Sequence, residues 1–133
     1  MYLTCIVPYQ GGIFKMAAIL IVDDLRSVRQ VVKATVIKCF TNHTVSEAAT
    51  ADEAIKLAAK GKYDLLIVDW SATDNGQSRN LTSRLVRQQP ELKVLVISDD
   101  IDLTERAAVL GYGALDKPLK IDSLAAQISA SLA

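Results

Sequence analysis

Two apolar quartets, Ile19-Leu20-Ile21-Val22 and Leu65-Leu66-Ile67-Val68, each run straight into a carboxylate. Neither alternates with polar residues, so a strand built from either must be covered on both faces. A parallel sheet between two layers of helices meets that condition. Asp23 and Asp24 close the first quartet and Asp69 closes the second. In one parallel sheet their ends open onto the same edge, where three carboxylates repel one another. A divalent cation is the simplest remedy. Hard oxygen donors with room left for water or phosphate suit Mg²⁺.

The rest of the chain repeats this alternation. Ala18 to Val22 reads as a strand, and Leu25 to Phe40 as a helix with Val28, Val32 and Val36 on one face. Thr44 to Glu47 is a short strand. Thr50-Ala51-Asp52-Glu53 is a capping box opening a helix to about Ala59, with Gly61 as its stop. Asp64 to Asp69 is the next strand. The polar loop Ser71 to Gly76 leads to a helix ending near Gln88, before Pro90. Lys93 to Ile97 is a further apolar strand. Asp102-Leu103-Thr104-Glu105 repeats the box and starts a helix that stops at Gly111. Gly113 to Asp116 is a short strand, and Ile121 to Leu132 a last amphipathic helix. Five β-α units with right-handed crossovers give a doubly wound α/β sheet. Asp23, Asp24, Asp69, Ser98 and Lys117 all follow strands directly, at the edge where such folds place their sites.

Acidic and basic residues balance at 15 each, so no global charge draws the chain to nucleic acid or to an anionic membrane. No apolar run approaches the roughly 20 residues of a membrane span. The two cysteines, Cys5 and Cys39, lack the clustered spacing of a metal site or disulfide framework and read as incidental thiols of a reduced, cytoplasmic protein. Residues 1–16 read as an extension, disordered or non-native; an added strand or a flap is the competing reading. Residues 17–133 form the domain.

Asp69 is the candidate nucleophile, because a carboxylate can attack phosphorus and form an aspartyl phosphate. Capping a loop is its alternative. Asp23 and Asp24 are candidate metal ligands, and one of them can serve as the helix N-cap as well. Lys117, before Pro118, is placed to neutralise phosphoryl oxygens. Ser98 offers a hydroxyl donor. Asp99 and Asp100 are expected to face solvent, His43 to be structural, and Trp70 to be half-buried beside the site as its natural reporter.

Ile21-Val22-Asp23-Asp24, Leu66-Ile67-Val68-Asp69-Trp70, Val96-Ile97-Ser98 and Leu115-Asp116-Lys117-Pro118 stand in order along the chain. Together they resemble the receiver domains of response regulators, over about Ala17 to Ala133. The resemblance implies a flavodoxin-like, five-stranded (βα)5 fold. It implies Mg²⁺- or Mn²⁺-dependent transfer of a phosphoryl group to Asp69 from a histidine kinase or a histidine phosphotransfer protein. It makes Asp23, Asp24, Asp69 and the backbone carbonyl of Ser71 the metal ligands, Ser98 the switch hydroxyl and Lys117 the phosphoryl contact. Such a domain is a phosphoacceptor rather than an enzyme, with at most self-phosphorylation and self-dephosphorylation chemistry. It also implies a surface made by the fourth helix, fifth strand and fifth helix that responds to phosphorylation, and a homodimer through that face. With no further domain after the last helix, signalling is expected through contact with a downstream protein and not through DNA.

The chain departs from the family pattern in places. Thr73 stands where a proline is usual, and the loop after Asp69 is short. The segment from Ser98 to Lys117 is short as well. Asp99 replaces a small residue, and Ala114 replaces the aromatic switch, with Tyr112 nearby but out of register. These departures support an alternative, a protein-binding module that works without phosphorylation. An aspartate-nucleophile phosphatase fits poorly, since Ser71 stands where its second acid belongs. A flavin carrier fits poorly too, because no hydroxyl-rich loop follows the first strand.

Overall fold

The structure, a computed structural model, describes residues 16–40 and 42–133. The expected N-terminal extension lies outside the described residues except for Met16, which is exposed. In chain order the elements are β1 (Ala18–Val22), α1 (Arg26–Cys39), β2 (Thr44–Ala48), α2 (Ala51–Lys60) and β3 (Leu65–Asp69). They continue with α3 (Gln77–Gln88), β4 (Lys93–Ser98), α4 (Ile101–Val109), β5 (Gly113–Asp116) and α5 (Ile121–Leu132). All strand pairs are parallel, in the order β2-β1-β3-β4-β5. This is the flavodoxin-like (βα)5 arrangement expected from the sequence.

Each apolar quartet divides between two cores because successive side chains of a strand point to opposite faces. Leu20, Val22, Leu66, Val68, Val94 and Val96 face one way, onto Ala54 of α2, Leu81 and Leu85 of α3, and Leu103 and Ala107 of α4. Ile19, Ile21, Leu65, Ile67, Leu95 and Ile97 face the other, onto Val32 and Val36 of α1 and Leu124 and Ile128 of α5. Register then fixes the functional edge. Val22 pairs with both Ala48 and Val68, Asp69 with Ile97, and Ser98 with Asp116. The residues after β1, β3, β4 and β5 therefore emerge side by side. The strand order reverses direction between β1 and β3, where folds of this kind bind their ligands.

The caps refine the sequence reading. Thr50 caps α2 by accepting Glu53 N–H at 3.2 Å, while Glu53 Oε2 reaches back to Ala49 N–H at 2.8 Å. Gly111 ends α4 in the left-handed region at φ 86°. Gly61 is the C-cap that ends α2, as expected, with extended backbone at φ −168° that any residue adopts. The start of α4 also shifts. Asp100 is the N-cap and accepts Asp102 N–H at 2.9 Å. Asp100 is thus occupied by the helix it opens, which corrects its expected orientation to solvent; Asp99 is exposed as expected. Cys39 is disulfide-bonded, correcting the expectation of incidental thiols. Cys5, the chain's other cysteine, lies outside the described residues.

His43 is structural, as expected. Its Nδ1 accepts Ala17 N–H at 3.0 Å, and Asp64 Oδ2 accepts Ala18 N–H at 2.8 Å. These side chains satisfy the backbone where β1 begins. Burial lowers the His43 pKa from 6.5, against the opposing pull of Asp64. The folded state therefore prefers neutral imidazole, the form that accepts from Ala17. The stability this supplies is present above the unfolded pKa and is lost as pH falls toward the lower folded value. The urea midpoint is expected to drop as pH falls below the unfolded value of 6.5, and to drop less in His43→Gln. Parallel pH profiles for the two proteins would refute this role.

Candidate functional site

Asp23, Asp24 and Asp69 meet as the register requires. One carboxylate oxygen from each lies within 4.8 Å of the others, with Asp23 buried, Asp69 half-buried and Asp24 exposed. They line a cavity of about 510 Å³ that also includes Ser71, Thr73, Asp74 and Ser78. Lys117 reaches in from the end of β5, just ahead of a cis Lys117–Pro118 peptide bond. Its Nζ lies 3.1 Å from Asp23 Oδ2 and 3.0 Å from Asp69 Oδ1.

The electrostatics follow from this crowding. Burial raises the Asp69 pKa above 3.8, and Asp23 and Asp24 add to the rise, against the hydrogen bond from Lys117. The ionised form is thus costly even beside a lysine. Burial alone would lower the Lys117 pKa, yet its bonds to Asp69 and Asp23 hold it above 10.5. Three acids and one cation leave an excess of negative charge on oxygen donors. An open cavity with room for water completes the environment that a hard divalent cation takes, so these residues fit Mg²⁺.

Asp23 divides its duties, as a pair of acids allows. Its Oδ1 accepts Leu25 N–H at 2.9 Å, just ahead of α1, while its Oδ2 meets Lys117. Neither acid is the formal N-cap; Leu25 holds that position with no side-chain bond. Ser71 lies on the cavity wall with its hydroxyl 3.0 Å from Thr73 Oγ1. The short loop is held by Asp74, which accepts Gly76 N–H and Ser78 N–H, each at 3.0 Å. Asn75 and Gly76 both turn through positive φ there. By sequence Asp74 is one residue of a polar loop with no assigned role, although an acid ahead of Asn-Gly is a turn signal.

Ser98 is fully buried, and its hydroxyl is engaged by two backbone groups. It donates to the Trp70 carbonyl at 2.7 Å and accepts Asp100 N–H at 3.0 Å. Trp70 is itself buried, at 2% exposure, which corrects its expected half-burial. Its side chain crosses to the α3 side of the sheet, where Nε1 donates to Thr82 Oγ1 at 3.0 Å. Its ring meets Tyr112 edge-on at 6.3 Å. Tyr112 and Ala114 pack against the same core that holds Trp70.

With this geometry in view, the likenesses are specific. A family model described as response regulator receiver domain matches residues 19–129. The response regulator ArlR of Staphylococcus aureus is 30% identical over 121 residues, which cover 88% of this chain and 53% of ArlR. The chain thus spans about half the length of the curated relatives it matches. A response regulator from Thermotoga maritima superposes with a TM-score of 0.76 at 26% identity, covering 89% of this chain and 98% of that one. NtrX from Brucella abortus, solved in complex with ADP, superposes with a TM-score of 0.77 at 27% identity, covering 89% of this chain and 27% of NtrX. No helix among the described residues is long and apolar enough to cross a membrane.

Proposed function

We propose a phosphoacceptor function for this chain, which belongs to the response regulator receiver family. Asp69 is the acceptor, and the donor is a phosphohistidine on a kinase or a phosphotransfer protein. A carboxylate oxygen of Asp69 attacks phosphorus as the N–P bond breaks. The imidazole leaves with the bond's electron pair and takes up a proton, and the product is an acyl phosphate on Asp69. The observation that carries this reading is the cluster of three acids, two of which, Asp69 and Asp23, are bridged by Lys117 at 3.0 and 3.1 Å. It combines a nucleophile, a cation-binding face and a fixed positive charge in one cavity.

Asp23, Asp24, Asp69 and the carbonyl of Ser71 hold Mg²⁺ or Mn²⁺. The ion, when bound, neutralises charge on the transferring phosphoryl oxygens. Lys117 leaves its carboxylate partners to contact the new phosphoryl group, and Ser98 rotates from the Trp70 carbonyl to donate to it. The changed surface then binds a downstream protein, or a second copy of the chain through the α4-β5-α5 face. The domain is a substrate of its partner rather than a turnover enzyme, apart from slow loading by small donors and slow self-hydrolysis. Cytoplasmic placement and the absence of direct nucleic-acid contact belong to the same reading.

A second reading keeps the fold as a binding module without phosphorylation. Ala114 and the engagement of Ser98 by two backbone groups favour it. Acid-labile labelling by a small acyl phosphate with Mg²⁺ separates the two. Label on the wild type supports the acceptor, and none at millimolar metal leaves the binding module.

Trp70 is the only tryptophan, so its emission reports one place. Its peptide follows Asp69 directly, and Thr82 fixes its indole. Mg²⁺ is expected to change that emission saturably, and Asp24→Ala to remove the response. A flat titration of the wild type would count against an assembled metal site.

A further inference from the structure

Asp23 is held at four points. Its N–H donates to the Ala48 carbonyl at 3.1 Å, Oδ1 accepts from Leu25, and Oδ2 meets Lys117. The fourth contact is at its own carbonyl, which accepts Arg29 Nη1 at 2.8 Å. That carbonyl belongs to the peptide joining Asp23 to Asp24. Arg29 is a side chain of α1, 14% exposed, and its Nε lies 3.3 Å from Glu47 Oε1. Glu47 sits on β2, opposite Ile21 of β1, and its other oxygen is 3.5 Å from Lys33. One guanidinium thus ties α1 and β2 to the turn that carries both acids.

From these contacts we propose that Arg29 is a positioning residue for the metal site. It fixes the plane of the Asp23–Asp24 peptide, and with it the direction from which each carboxylate starts. It does not touch the ion. Asp24 depends on this most, because it is exposed and no buried packing holds its side chain. The inference rests on the Mg²⁺ reading above.

Two effects of Arg29 have opposite signs, and their magnitudes decide between them. As a cation near an acidic site it repels Mg²⁺, but its ion pair with Glu47 offsets that charge and leaves a repulsion of about a fewfold. As a support for the ligands it strengthens binding, and losing such outer partners typically costs about 10- to 100-fold in metal affinity. Support therefore outweighs repulsion. Lysine keeps the charge but cannot reach the carbonyl and Glu47 with one planar fork.

The test is calorimetric Mg²⁺ titration of the full chain as wild type, Arg29→Met and Arg29→Lys, with melting curves without metal. Affinity is expected to fall about tenfold in Arg29→Met and measurably in Arg29→Lys. Tighter or equal binding by Arg29→Met, or wild-type affinity in Arg29→Lys, overturns the proposal and leaves the metal reading standing. A lowered melting temperature with unchanged affinity also overturns it, since the role would then be structural only. If Arg29→Met fails to fold, Arg29→Lys decides alone. A wild type that binds no Mg²⁺ removes the metal reading and this inference together.

Discussion

Asp69→Asn is expected to take no acid-labile label from a small acyl phosphate with Mg²⁺, under conditions where the wild type is labelled. The amide keeps the size and shape of the side chain but presents no carboxylate to attack phosphorus. Folding is expected to survive. Ionised Asp69 is disfavoured by burial and by Asp23 and Asp24, so removing its charge relieves repulsion while Lys117 retains Asp23. The wild type carries its own pH signature. Because the Asp69 pKa is raised, the reactive carboxylate is lost to protonation at a higher pH than an ordinary aspartate's. Mg²⁺ competes with that proton for the same carboxylate, so the metal affinity of the wild type should fall with decreasing pH while typical surface carboxylates are still ionised. Labelling of the asparagine variant at the wild-type rate would place the acceptor elsewhere.

Much of this site was legible because it follows from strand periodicity. Four strand ends carry Asp23, Asp69, Ser98 and Lys117, and parallel pairing brings strand ends together whatever the helices do. The apolar quartets also declared two covered faces, and both cores use them. What stayed hidden depends on side-chain direction and spatial proximity. Trp70 reads locally as a residue beside the site, yet Thr82, twelve positions later, draws its indole to the α3 side of the sheet. Asp100 looked like surplus charge until α4 began one residue after it. The capping-box pattern at Asp102 competed with it. The orphan N–H groups of the helix start are met by whichever acid the chain's entry angle presents. Arg29 carried no separate signal, because an arginine on an amphipathic helix is ordinary until its carbonyl and carboxylate partners are known.

Lys117→Met removes the one side chain, among the described residues, that forms ion pairs with the acid cluster, and both consequences are large. Removing one partner of a buried ion pair costs about 3–5 kcal/mol. Asp23 is 3% exposed, but Asp69 and Lys117 keep 17% and 16%, so about 2–3 kcal/mol is the expected loss without metal. The pH dependence has a definite sign. The Lys117 pKa is raised above 10.5, so its contribution is fully present below that value and is lost as pH rises through the folded pKa. Acidification of the neutral protein should not remove it until the carboxylates themselves protonate. Added Mg²⁺ supplies the missing positive charge without competition from an ammonium. The stabilisation it gives grows with the ratio of free metal to dissociation constant, so the melting temperature should rise further with Mg²⁺ in the variant than in the wild type. Phosphoryl loading should nevertheless slow by about 100-fold, because the ion does not replace a preorganised donor aimed at the developing charge. Thermal melts with and without Mg²⁺, paired with labelling rates, read both effects. Equal stability of the two proteins without metal would mean that Lys117 neutralises nothing in the resting site. Equal labelling rates would confine it to that resting role and remove it from phosphoryl transfer.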